Sequence, residues 1–91
     1  MSVHTIATLS PVEFERGRAI IPEFADYSDY EDWVDCREGS FIGLATAGVE
    51  TRLVAVSLRN FLSWCFGESL EPTQAALDVY AGLTAHLRIA A

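Results

Sequence analysis

No lysine occurs in this chain of 91 residues, and all six of its basic residues are arginine. Thirteen acids outweigh them, for a net charge of −7. The chain therefore lacks the basic footprint with which proteins hold nucleic acid or an anionic lipid surface. The same balance favours solubility and partners with basic surfaces. Arginine is the better interface former, although codon bias alone also yields a lysine-free chain.

Long hydrophobic runs are missing as well. None approaches the roughly 20 apolar residues of a membrane span, and "FLSWCF" (61–66) is interrupted by Ser63. Met1–Ser2–Val3–His4 carries no positive n-region of the secretory type. These absences predict a cytoplasmic protein that contacts neither membrane nor nucleic acid directly. Cysteine is scarce: Cys36 and Cys65 allow one disulfide, which a reducing compartment would leave open. Both stand among large apolar neighbours, so both are expected to be reduced and at least partly buried.

Catalytic and metal motifs are absent too. There is no Gly-rich phosphate loop, no GxSxG and no HExxH. A calcium loop needs oxygen ligands at positions 1, 3, 5 and 12 with Gly at 6. Counted from Asp26, position 5 is Tyr30 and position 12 is Arg37; counted from Asp29, they are Trp33 and Ser40. Neither register works. A zinc site from His4, Cys36, Cys65 and His86 lacks the local ligand pairing of small structural sites, and a Cys–His nucleophile meets the same objection. No catalytic residue, metal or cofactor is assigned, and the expected protein is not an enzyme.

What is present is a core. The chain is 51% hydrophobic, with two Trp, five Phe and three Tyr, far too apolar for a disordered chain. Its length fits a single acidic globular domain over residues 1–91, near the lower size limit for an independent core. The pattern predicts a mainly α fold with a minor β component: helices over roughly 11–18, 29–47, 58–66 and 73–88, and short strands at 2–8 and 51–56. Ser10, Pro11 and Glu13 form a capping box with proline at the first helical position; Gly17 and Pro22 keep that helix short. Ser28 and Glu31 suggest a second box. From there Tyr30, Trp33, Val34, Phe41, Leu44 and Ala45 recur at three and four, with Arg37 filling the gap. Cys36, Ser40, Gly43 and Ala47 make a small-residue stripe, and Gly39 and Gly43 allow a break near 38–40. Gly48 ends the helix. Ser57 caps the next, whose apolar face is Leu58, Phe61, Leu62, Cys65 and Phe66, with Gly67 as its stop. The last helix turns Leu77, Tyr80, Ala81, Thr84 and Leu87 inward.

One stretch stands apart. "EFADYSDYEDWVDCRE" (23–38) holds seven carboxylates and one arginine. On a helix starting near residue 29, Glu31, Asp35 and Glu38 share a stripe, with Asp32 beside them. Such carboxylates repel one another by a few tenths of a kcal/mol per pair. Acids in the first turn, Asp29, Glu31 and Asp32, regain some of this from the helix dipole. Arg37 has Trp33 and Phe41 at its i−4 and i+4 positions, so it finds a cation–π face rather than an ion pair. By contrast, residues 51–67 contain Arg52 and Arg59 and no acid.

The expected function is a non-enzymatic protein–protein interaction module. It docks on a basic partner through Tyr27, Asp29, Glu31, Asp32, Asp35, Arg37 and Glu38. An alternative is an inhibitor that imitates nucleic acid, its carboxylates standing in for phosphates in the groove of a bacterial defence nuclease. A third is a small-molecule-binding or enzymatic homodimer, since association would add both burial and a pocket.

Overall fold

Two helices start where the sequence places a capping serine. The Ser10 hydroxyl accepts from the Glu13 N–H at 3.2 Å, and the Glu13 carboxylate accepts from the Ser10 N–H at 3.1 Å. This opens α1 (Pro11–Gly17). Ser57 accepts from the Asn60 N–H and opens α3 (Leu58–Gly67). The computed structural model describes residues 3–90, with side chains given for residues 3–85. Around these helices it places β1 (His4–Thr8), a 3-10 turn (Pro22–Asp26), α2 (Tyr30–Thr46), β2 (Thr51–Ala55) and α4 (Gln74–Ala90). The fold is mainly helical, with four α-helices and one two-stranded sheet.

β1 and β2 pair in parallel, His4 against Thr51 through Thr8 against Ala55. Parallel strands cannot be joined by a hairpin. The 42 residues between them, containing α1, the 3-10 turn and α2, form the crossover. Alternate residues of β1 face opposite sides; Ala7 and, just beyond the strand, Leu9 enter the main core with Val54 of β2 and Val56 just after it.

Several local expectations are corrected. Asp29, not Ser28, caps α2: its carboxylate accepts from the Asp32 N–H at 2.8 Å. Ser28 donates instead, from both N–H and Oγ, to Asp32. No break occurs near residues 38–40, because α2 runs unbroken from Tyr30 to Thr46. Its end is closed by Gly48, whose φ of 84° lets the Val49 N–H reach the Leu44 carbonyl and its own N–H reach that of Ala45. That arrangement closes the last helical carbonyls. α3 passes through Gly67 and is closed in the same way two residues later by Ser69, at φ 55°. α1 already ends at Gly17, and Pro22 instead starts the 3-10 turn, an element with no local signal in the expected pattern.

The largest fully buried side chains include Trp33, Phe14, Phe24 and Phe61. Phe14 stacks on Phe24 at 4.8 Å, and Trp33 lies 5.2 Å from Phe14 and 5.3 Å from Phe24. A second group, Phe61, Trp64 and Tyr80, joins α3 to α4. Each buried aromatic contributes about 1.5–3 kcal/mol through removal from water. On α4, Leu77 and Ala81 are fully buried, while Tyr80 and Thr84 are half-buried; the expectation for Leu87 falls outside the described side chains.

Two apolar positions depart from the reading. Phe66, expected on the inner face of α3, is 89% exposed. Cys36, expected to be at least partly buried, is exposed, whereas Cys65 is buried. Phe66 sits at the edge of α3's apolar sector, whose centre alone is covered, whereas Cys36 lies between Asp35 and Arg37 on the exposed small-residue stripe of α2. Both thiols are free.

Candidate protein-docking face

α2 divides its charges by direction. Asp29, Glu31, Asp35 and Glu38 are exposed. Asp29 also serves as the N-cap. Asp32 is half-buried and accepts both Ser28 hydrogen bonds, so part of its work is local. Tyr27 is half-buried and packs against the core; its carbonyl accepts from the Arg18 guanidinium at 3.0 Å. The structure thus gathers Asp29, Glu31, Asp35 and Glu38 on the outside of one helix and turns Tyr27 inward.

Arg37 is turned further in. Only 7% of it is exposed. Its guanidinium lies 5.4 Å from the Trp33 ring centroid, the cation–π contact expected from the i−4 spacing. It also donates to Asp78 of α4 at 2.5 Å. Asp78 is the functional-looking residue that local spacing missed, because it lies 41 positions away. The available signal was indirect: an arginine in the middle of an apolar stripe implies a buried counter-charge.

Asp78 does two jobs with one oxygen. Oδ1 accepts from Arg37 and from the Ala7 N–H at 2.8 Å, so it seals the outer edge of β1. Gly82, one turn along, brings α4 close enough that a methyl group there would stand 2.9 Å from Thr5 Oγ1. Two further bonds fix α2: the Trp33 indole donates to Gln74 at 3.1 Å, and the Tyr30 hydroxyl donates to the Leu9 carbonyl at 2.7 Å. The outward acids therefore stand on a helix anchored at three points along its inner side.

Glu13 is a second inward-working carboxylate. Besides closing the first capping box, it accepts from the Leu58 N–H at 2.8 Å and so ties α1 to the start of α3. Burial pushes its carboxyl up, but the bonds from Leu58 and Ser10 and the nearby Arg16 outweigh this and hold it below the ordinary value of 4.5. Burial alone pushes the Cys65 thiol up.

Among the described residues, the ion pairs are Arg18–Glu15, Arg37–Asp78 and Arg52–Glu50. None of them involves the outward acids of α2. Among the described residues, no three His, Cys, Asp or Glu side chains converge as metal ligands, and no helix is long and apolar enough to cross a membrane. Compared with protein-family models, curated proteins and solved structures, the chain has no match.

Proposed function

We propose that this chain is a non-enzymatic interaction module that docks on a basic partner through the exposed carboxylates of α2. The observation that carries this reading is a separation of charge within one helix. Arg37, the cation of the acidic block, is buried against Asp78. Asp29, Glu31, Asp35 and Glu38 remain exposed, with no ion pair among the described residues. A uniform negative face attracts a complementary surface and speeds encounter. A cytoplasmic location belongs to this reading, and the exposed free thiol of Cys36 supports it.

The test is affinity capture from the native host, followed by measurement of association rates. The triple variant Glu31→Gln, Asp35→Asn, Glu38→Gln should associate more slowly and with a flatter salt dependence. Equal rates for variant and wild type would reject the face. A captured partner that DNA or RNA displaces would favour the nucleic-acid-mimic form, since carboxylates one turn apart are spaced by about 5.4 Å.

Self-association is a second reading, supported by exposed Phe66 and Ile42 (89% and 62%) and by the uncovered stripe Cys36, Ser40, Gly43 and Ala47. Light scattering that shows a 10.0 kDa species at high micromolar concentration would reject it. If a dimer forms through the stripe, Ala47→Trp weakens it.

A further inference from the structure

Five arginines have described side chains, and three of them are ion-paired: Arg18, Arg37 and Arg52. The other two, Arg16 of α1 and Arg59 of α3, are both exposed and join no ion pair among the described residues. They line the same cavity. It has a volume of about 460 Å³ and is completed by Glu13, Ile20, Leu58, Leu62 and Ser63. In a chain of net charge −7, two guanidiniums from separate helices that join no ion pair among the described residues and line one concave site are an unusual use of scarce positive charge.

The third charged group there, Glu13, is already engaged. Its oxygens take the N–H groups of Ser10 and Leu58, so its charge is answered mainly by backbone donors and the start of α3, with a smaller attraction to Arg16. Arg16 and Arg59 keep their donors. A guanidinium presents planar donor pairs suited to the two oxygens of a carboxylate or phosphate. Beside them, Ile20, Leu58 and Leu62 offer an apolar wall, and Ile20 is 41% exposed. The volume falls in the range of small-molecule sites, which combine an apolar lining with a few polar groups.

We propose that this cavity between α1 and α3 binds a small amphiphilic anion, a carboxylate or phosphate monoester carrying a short apolar tail. The head group lies between Arg16 and Arg59, and the tail lies along Ile20, Leu58 and Leu62. This site is separate from the acidic face of α2 and does not depend on its role.

Octanoate and octyl phosphate are the probes, titrated by calorimetry and by amide shifts of residues 58–63 in NMR. At least one should bind saturably with a Kd of about 0.1–1 mM, and roughly tenfold more tightly than octanol, acetate or inorganic phosphate. Arg16→Gln and Arg59→Gln should each weaken binding at least about fivefold. Arg52→Gln, which changes an exposed arginine elsewhere, should leave it unaltered. Circular dichroism checks that all three variants fold. The proposal is overturned if neither probe saturates by about 5 mM, if octanol binds as well, or if Arg52→Gln weakens binding as much as the other two. Amide shifts at residues 58–63 that depend on protein concentration alone would also overturn it, because another copy would then be filling the site.

Discussion

Two populations of carboxylate occupy this small molecule, and they differ in direction rather than in chemistry. Glu13 and Asp78 point inward. Between them they accept three backbone N–H groups and one guanidinium, joining α1 to α3 and α2 to both α4 and β1. Glu31, Asp35 and Glu38 point outward from α2 and enter no ion pair among the described residues. The first set does work that the fold cannot lose. The second adds mutual repulsion to a chain already at −7 and gains nothing in packing. Packing gives the second set no role, and the proposed docking on a basic partner is the role assigned to it above.

The sharpest way to break the comparison is at Asp78. Asp78→Ala strands the buried Arg37 and leaves the Ala7 N–H unanswered, and should cost about 3 kcal/mol in urea denaturation. Asp78→Asn keeps an acceptor for Ala7 but removes the charge, and should cost about half as much. An alanine variant as stable as wild type would remove the distinction between the two sets.

Glu13→Gln is the next largest, at about 1 kcal/mol near neutral pH. Its dependence on pH has a definite sign. Because the folded carboxyl is more acidic than the unfolded one, the unfolded chain binds more protons between the two values, and stability rises with pH through that window. The contribution is complete above the ordinary value of 4.5 and is lost as pH falls through the depressed folded value. The gap between wild type and variant should therefore shrink when denaturation is repeated at about pH 3.5.

The outward set should respond in the opposite way. Glu31→Gln, Asp35→Asn, Glu38→Gln should leave Tm equal or higher, within about 0.5 kcal/mol of stability. A steep fall in Tm would make these carboxylates structural and end the docking reading. The smallest effect carries no stability change. Thiol titration of the native protein should find Cys36 reacting fast and Cys65 only after denaturant is added, since burial both shields Cys65 and disfavours its thiolate.

Much of the fold was legible because its signals are local. Ser10, Glu13 and Ser57 mark helix starts by bonds spanning three residues, Pro11 by its place at the first helical position, and Gly48 marks an end by its backbone freedom. Arg37 over Trp33 followed from one helical turn. What stayed hidden depends on distance along the chain. No local pattern pairs Arg37 with Asp78 or couples Glu13 to Leu58, 45 positions on. The competition between Ser28 and Asp29 as cap was decided by which side chain reached the Asp32 N–H. Phe66 was misplaced because periodicity names the centre of an apolar face, while its edges are set by how far neighbouring helices extend; Cys36 was misplaced because nearby apolar residues in the sequence, Trp33 and Val34, point to another side of the helix. The acidic block and the outward stripe of Glu31, Asp35 and Glu38 were plain in the sequence, and the carboxylate that answers Arg37 was not.

The bond from the Ala7 N–H to Asp78 spans 71 residues, and this has a consequence for how the chain is made. β1 leaves the ribosome before both β2, which pairs with one side of it, and α4, which seals the other. At synthesis rates of about 5–20 residues per second, Ala7 waits on the order of 4–14 seconds before Asp78 has even been added. Throughout that interval the strand has no lasting partner on its outer side. The sheet and its seal by α4 are therefore completed only after the crossover, β2 and α3 have all been made.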